Sequence, residues 1–203
     1  MTIQERKERE KQELRDLILS TAAELFRTKG YEKTSIRAIA DAIDYSPGTI
    51  YRYFKDKDEL MFEISETGFK LFHEYQNSVS NIENPLVRLK KIGESYIKFA
   101  LDYPSYYELM FIMPDPIDFL GDDREWKNGL NCHDFHLNAI LECQQLGHFK
   151  DQDPMHLSLM VWAQVHGIIA LHLKNRLDMY EVADQEQLLF DALASFNHML
   201  DSQ

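Results

Sequence analysis

The sequence predicts an all-α protein of about nine helices, three in a first domain over residues 1–58 and the rest in a second over 59–203. Three observations carry this. Apolar residues recur at helical spacing, three and four apart, through nearly every segment. Capping residues, several followed by proline, open the segments, and glycines close some of them. Strand-like alternation, internal repeats and low-complexity tracts do not appear.

The elements follow in order. Residues 1–16 are almost wholly polar and read as a solvated helix start, or as a mobile arm. From Leu14 the pattern turns amphipathic, with Ile18, Ala22, Leu25 and Phe26 on one face. Gly30 should close this helix as a left-handed cap, and Tyr31 should fold back over its end. Thr34 is the expected N-cap of a short helix carrying Ile36, Ile39, Ala40 and Ile43. Asp44 and Tyr45 leave room for a tight turn. Ser46 caps the next helix, of about two turns, and Pro47 occupies its first position, where a missing N–H costs nothing. Ile50 and Phe54, four apart, point inward and leave Thr49, Tyr51, Arg52 and Tyr53 around the remaining surface.

Asp56-x-x-Glu59 reads as a capping box opening a helix to about Ser80. A further helix spans Pro85 to about Asp102. An aromatic-rich piece, Tyr106–Met113, precedes a loop forced by Pro114 and Pro116. Trp126 to about Leu146, Asp153-Pro154 to about Leu173, and Gln185 to Leu200 complete the set.

Composition bounds the function. At 203 residues, 44% hydrophobic and 28% charged, the chain is ordinary for a globular protein. Cys132 and Cys143, on one expected helix, lie about 16 Å apart at 1.5 Å per residue, too far to bridge. The charged N-terminus does not read as a signal peptide, and no uninterrupted run reaches the ~18 apolar residues of a membrane span. A reduced, cytoplasmic setting without membrane contact is therefore expected. The net charge of −12 is unevenly placed: residues 1–60 hold 12 basic and 12 acidic side chains, residues 61–203 hold 10 and 22. Between Arg27 and Lys57 seven basic residues face four acidic ones, a local excess of positive charge.

The segment Thr34-x-x-x-x-Ile39-Ala40, then Ser46-Pro-Gly-Thr-Ile-Tyr-Arg-Tyr-Phe-Lys-x-Lys-x-x-Leu60, resembles the DNA-binding signature of the TetR family of transcriptional regulators. The likeness covers roughly residues 12–62. It implies a helix-turn-helix domain over 1–58 and an effector-binding and dimerisation domain over 59–203. It also implies a dimer on a palindromic double-stranded operator, acting as a repressor released by a small molecule. Base contacts are implied for Arg37, Pro47, Gly48 and Thr49, and phosphate contacts for Thr34, Tyr51, Tyr53 and Lys57. Arg52 and Lys55 are further phosphate partners by charge.

The homodimer is expected through the last two long helices. Ala163, Gly167 and Ala170 form a stripe of small residues that permits close helix approach, with Leu188, Leu189, Ala192, Phe196 and Met199 opposite. Trp162-x-x-x-His166-Gly167 is similar to a motif in one branch of the family's C-terminal domains. The resemblance implies a small, largely apolar effector among Tyr96, Phe99, Tyr103, Tyr107, Phe111, Trp126, Phe135, Trp162 and His166; aromatics at this spacing equally build plain core. No cofactor is expected. Cys132, His133, His136 and Cys143 do not complete a metal shell, and no phosphate loop, Gly-x-Ser-x-Gly or His-Glu-x-x-His pattern speaks for catalysis. A helical ligand- or protein-binding module that does not read DNA is the alternative; the overall acidity favours it, and the charge balance of the N-terminal third disfavours it.

Overall fold

A computed structural model describes residues 2–113 and 127–201. Among them stand nine α-helices and no strand: α1 (Ile3–Lys29), α2 (Ile36–Ala42), α3 (Pro47–Ile50), α4 (Lys57–Asn77), α5 (Pro85–Asp102), α6 (Pro104–Phe111), α7 (Lys127–Gln145), α8 (Pro154–Leu173) and α9 (Gln185–Leu200). A 3-10 turn, Arg176–Met179, lies between α8 and α9. The expected loop at Pro114 and Pro116 falls outside the described residues.

The chain divides into two compact units, Met1–Gly68 with Ser105–Trp126, and Phe69–Pro104 with Lys127–Gln203. The first unit runs on to Gly68 and takes in α6, and the functional boundary expected at residue 58 falls in the first turn of α4.

In the first unit α1 begins at Ile3, far ahead of its amphipathic portion. Thr2 and Glu5 close a reciprocal capping box, and Arg6–Glu10 and Arg9–Glu13 pair one turn apart in solvent. Ile18, Leu19, Ala22, Ala23 and Phe26 of α1 are fully buried, as are Ile39, Ala40 and Ile50. Gly30 ends α1 at φ 84° and ψ 151°, a region essentially open to glycine alone, and its N–H reaches the Phe26 carbonyl. Leu60, Met61 and Ile64 of α4 and Tyr107, Leu109 and Met110 of α6 complete this core. A β-carbon on Gly68 would meet Met110 and lie 3.3 Å from Tyr106, so α4 and α6 touch through the glycine. Ser105 donates to Glu24 (2.5 Å), which also holds Arg27, fastening the start of α6 to α1.

The second unit is built around α5, which packs on α7, α8 and α9. Asn84 caps α5 and Asp153 caps α8, each accepting two backbone N–H bonds ahead of a proline. Leu89, Ile92, Ile140, Cys143, Phe149 and Leu157 form the centre of the core. On α8, Leu157, Val161, Val165 and Ile169 face inward while Leu159 (59% exposed), Met160 (64%) and Leu171 (48%) do not. This 20-residue helix is long and apolar enough by composition to cross a membrane, which a count of uninterrupted apolar residues misses because Gln164 and His166 interrupt it.

His136 of α7 donates from Nε2 to the Ser158 carbonyl (3.3 Å), and burial pushes its pKa down to about 4. The unfolded chain therefore binds the extra proton first. The stability contributed by a neutral His136 is complete above about pH 6.5 and is lost as pH falls toward 4, by roughly 1–3 kcal/mol. Urea denaturation between pH 7 and 4.5 should show this slope, and His136→Phe should flatten it.

Candidate nucleic-acid interface

α2 and α3 are set by two serines. Ser35, not Thr34, caps α2: its Oγ accepts from the Ala38 N–H at 3.1 Å. Thr34 is buried, 1% exposed, and its hydroxyl donates to the carbonyls of Gly30 (2.9 Å) and Leu25 (3.2 Å). The expected phosphate contact from Thr34 is thus corrected: its side chain ties down the end of α1. Ser35 sits immediately before Ile36, the first apolar residue of the helix, and that adjacency was the usable signal.

The turn passes through Asp44 at φ 58°, a left-handed conformation that aspartate tolerates better than most residues. The Tyr45 N–H then bonds back to the Ala40 carbonyl at 3.0 Å. Ser46 caps α3, accepting from the Thr49 N–H at 3.3 Å, with Pro47 in the first position. α3 itself is one turn rather than two. Tighter bonds, Arg52 N–H to Thr49 and Tyr53 N–H to Ile50, carry the coil on to Phe54.

Ile50 (0% exposed) and Phe54 (2%) are inside. Gly48, Tyr51, Arg52 and Lys55 are exposed, and Pro47, Thr49 and Tyr53 are partly so. Arg37 stands out from α2, 4.0 Å from Asp41. Asp56 accepts from the Glu59 N–H, but Glu59 reaches back to the Lys55 N–H, one residue earlier than a capping box requires. Lys57 is partly buried, its ammonium donating to the Tyr31 carbonyl (2.9 Å) and lying 3.9 Å from the Tyr31 ring centroid. Tyr31 does fold back over α1, 5.1 Å from the Phe26 ring.

The nine side chains expected around an effector are distributed differently. Tyr96 (4% exposed) and Phe99 (0%) belong to an aromatic cluster with Phe72, Tyr75 and Tyr103. The Tyr96 hydroxyl accepts from Trp162 Nε1 at 3.0 Å, and Trp162 lies 6.0 Å from His166, whose pKa is lowered by burial. Phe135 stands edge-on to His73 at 6.2 Å. Tyr107 and Phe111, 5.1 Å apart, sit in the first unit, Tyr107 fully buried. Trp126 lies outside the described residues. A groove of about 380 Å³ opens between α4 and α5 instead, lined by Glu74, Tyr75, Ser78, Val79, Lys91, Glu94, Ser95 and Lys98, none of them among the nine. Among the described residues no three His, Cys, Asp or Glu side chains come together to hold a metal ion. Burial pushes the Cys143 thiol up to about 11.

Two family models match: bacterial regulatory proteins, tetR family, over residues 18–64, and tetracyclin repressor-like, C-terminal domain, over 89–201. The chain is 33% identical over 76 residues to the HTH-type transcriptional repressor KstR2 of Mycolicibacterium smegmatis, a match covering 37% of each. It is 33% identical over 117 residues to the HTH-type transcriptional regulator AcrR of Shigella flexneri, covering 56% of this chain and 54% of that one. The chain thus spans little more than a third to a half of the length of these curated relatives. Its fold matches PfmR from Thermus thermophilus (TM-score 0.71, 20% identity, 90% of this chain and 96% of that one). It also matches AibR in complex with isovaleryl coenzyme A and operator DNA (TM-score 0.72, 24% identity, 89% and 96%).

In the free protein a β-carbon at Gly48 meets only the Ser46 Oγ, at 3.7 Å, so nothing inside the fold demands glycine there. Gly48→Ala should keep or raise the melting temperature, since alanine favours a helix by about 1 kcal/mol. If the backbone at Gly48 approaches a duplex, as the resemblance implies, the same substitution should weaken duplex binding by roughly tenfold, about 1.4 kcal/mol, measured by fluorescence anisotropy. Undiminished binding would remove close backbone approach as the reason for the glycine.

Proposed function

The chain belongs to the tetR family of bacterial regulatory proteins, and from that premise we propose a ligand-responsive transcriptional repressor that binds a palindromic operator as a homodimer in the cytoplasm. The observation that carries this is the outward set of Ser46–Lys57 around the buried pair Ile50 and Phe54. Arg37, Pro47, Gly48 and Thr49 read base edges, Arg37 as a bidentate donor to guanine. Tyr51, Arg52, Tyr53, Lys55 and Lys57 hold phosphates. Thr34 has no place in that set.

The second copy is seated on α8 and α9. Ala163, Gly167 and Ala170 run down the middle of the α8 face turned from the core, with Leu159 on one side and Met160 and Leu171 on the other. A β-carbon on Gly167 would find nothing within 4 Å in its own chain. A helix apolar on all sides is ordinarily covered on all sides, and a symmetric partner covers this one. Its inner face is already taken by the protein core, which favours a partner subunit over a membrane. On α9 the seam excludes Leu189, fully buried in its own subunit, and keeps Met199, 61% exposed.

The effector is a small, largely apolar molecule in the second domain; a second class to assay is acyl coenzyme A thioesters, a short apolar acyl group on a large anionic carrier, because AibR was solved with isovaleryl coenzyme A. Binding shifts the spacing of the two reading heads only by preferring one spacing over the other. α4, continuous from Lys57 to Asn77, is the covalent route by which such a preference reaches the heads.

Two measurements test this. Tyr51→Ala combined with Lys57→Ala should lower operator affinity at least tenfold, and should flatten the salt dependence by about 0.9 in log–log slope, from the one cation removed. Operator affinity equal to wild type would count against the whole assignment. Gly167→Trp should yield a monomer by sedimentation equilibrium, with correct helical content and weakened operator binding; a dimer of wild-type strength would move the seam elsewhere.

A further inference from the structure

Lys57 is the first residue of α4, the positive end of a helix dipole, where a cation is disfavoured. Something must compensate for it there. Tyr31 supplies two contacts: its backbone carbonyl accepts one ammonium proton at 2.9 Å, and its ring lies under the same ammonium, 3.9 Å from the centroid. Tyr31 is itself held on three sides. Its ring packs on Phe26, its phenol donates to the carboxylate of Asp58, and the preceding Gly30, itself at φ 84°, turns the chain into it. An ammonium carries three donors, and the carbonyl uses one.

We propose that Tyr31 is a positioning residue for operator binding: ring and carbonyl hold the Lys57 ammonium in place, so that its remaining donors meet a phosphate without first ordering a flexible side chain. The proposal rests on the reading that Lys57 contacts DNA, and goes beyond it by assigning a role to a residue outside the recognition helix. A lysine on a free four-carbon stem loses rotamer freedom on binding, and a lysine already seated loses less.

The test is a double-mutant cycle on the full chain, read as operator affinity and its salt slope. Lys57→Ala should weaken binding and lower the log–log salt slope by about 0.9. Tyr31→Leu, which removes the ring, should weaken binding by roughly two- to fivefold, the range expected of an exposed cation–π contact. Tyr31→Phe, which keeps ring and carbonyl, should bind like wild type. In the Lys57→Ala background Tyr31→Leu should have no further effect. An equal loss in that background means Tyr31 acts through the general fold, and overturns the proposal; so does wild-type affinity in Tyr31→Leu. If Lys57→Ala alone leaves affinity and slope unchanged, the DNA contact itself is wrong and the proposal falls with it, a failure the slope identifies. Should Tyr31→Leu not fold, the free wild-type protein still decides: in spectra of lysine-labelled protein the Lys57 ε-methylene protons should be shifted upfield by the ring current. Their appearance at the position of ordinary lysines overturns the proposal.

Discussion

The N-terminal unit depends on two side chains being kept from water. Ile50 and Phe54 are 0% and 2% exposed, and they lie four residues apart on a coil too short to be stable by itself. Burying each contributes about 1.5–3 kcal/mol, enough to seat one helical turn that backbone bonds alone would not. Their spacing also fixes rotation about the coil axis. Once both are inside, Gly48, Tyr51 and Arg52 have no direction left but outward. Arg15 reinforces the arrangement from α1, its guanidinium 5.4 Å from the Phe54 ring centroid while paired with Glu63 of α4. Thr34 does the same from the other side by closing the end of α1 with its hydroxyl. Exposure of the reading surface is thus a consequence of packing beneath it.

Much of this was legible because the signals are local. Ser46-Pro47 and Asp153-Pro154 mark helix starts by chemistry that needs no distant partner, and the structure opens α3 and α8 at those prolines. Gly30 closes α1 for the same kind of reason. What was not legible required knowing what lies across space. Thr34 and Ser35 both carry a capping hydroxyl; the carbonyls of Leu25 and Gly30 claim one and leave the other. The charged start of α1 has no apolar face to announce a helix, yet i, i+4 pairs and a capping box sustain it. The sequence of α6 does not say which helices it meets, and Gly68 and Ser105 show that it packs on α4 and α1.

The same limit governs the effector set. Tyr96, Phe99 and Tyr107 recur at helical spacing, and that spacing says only that they face inward. Inward here means against other rings, with Phe72 edge-on to Tyr96 and Phe111 beside Tyr107. α8 presents the converse case. Its composition hides which face is core, since both faces are apolar. Branched residues, Leu157, Val161, Val165 and Ile169, occupy the inner face, and the small residues lie on the outer one, where Gly167 has open space. Side-chain size, rather than hydrophobicity, distinguishes the inner face from the middle of the outer one.

On the proposed function, charge placement decides which part of the molecule would meet DNA. A chain of net charge −12 is repelled by a polyanion as a whole, and its 22 acidic against 10 basic residues beyond residue 60 make that repulsion strongest away from the head. Attraction must come from few cations. Arg37 and Lys55 have carboxylates nearby, Asp41 at 4.0 Å and Asp56 at 3.9 Å, but these pairs are long and widely exposed. Exposed pairs of this kind are worth little, so exchanging the carboxylate for a phosphate costs little. Lys57 differs in being already seated on Tyr31. The first unit therefore combines cations that are readily released with one that is already in place. On the proposed function that contrast, and not a positive total charge, is what would draw a duplex to it.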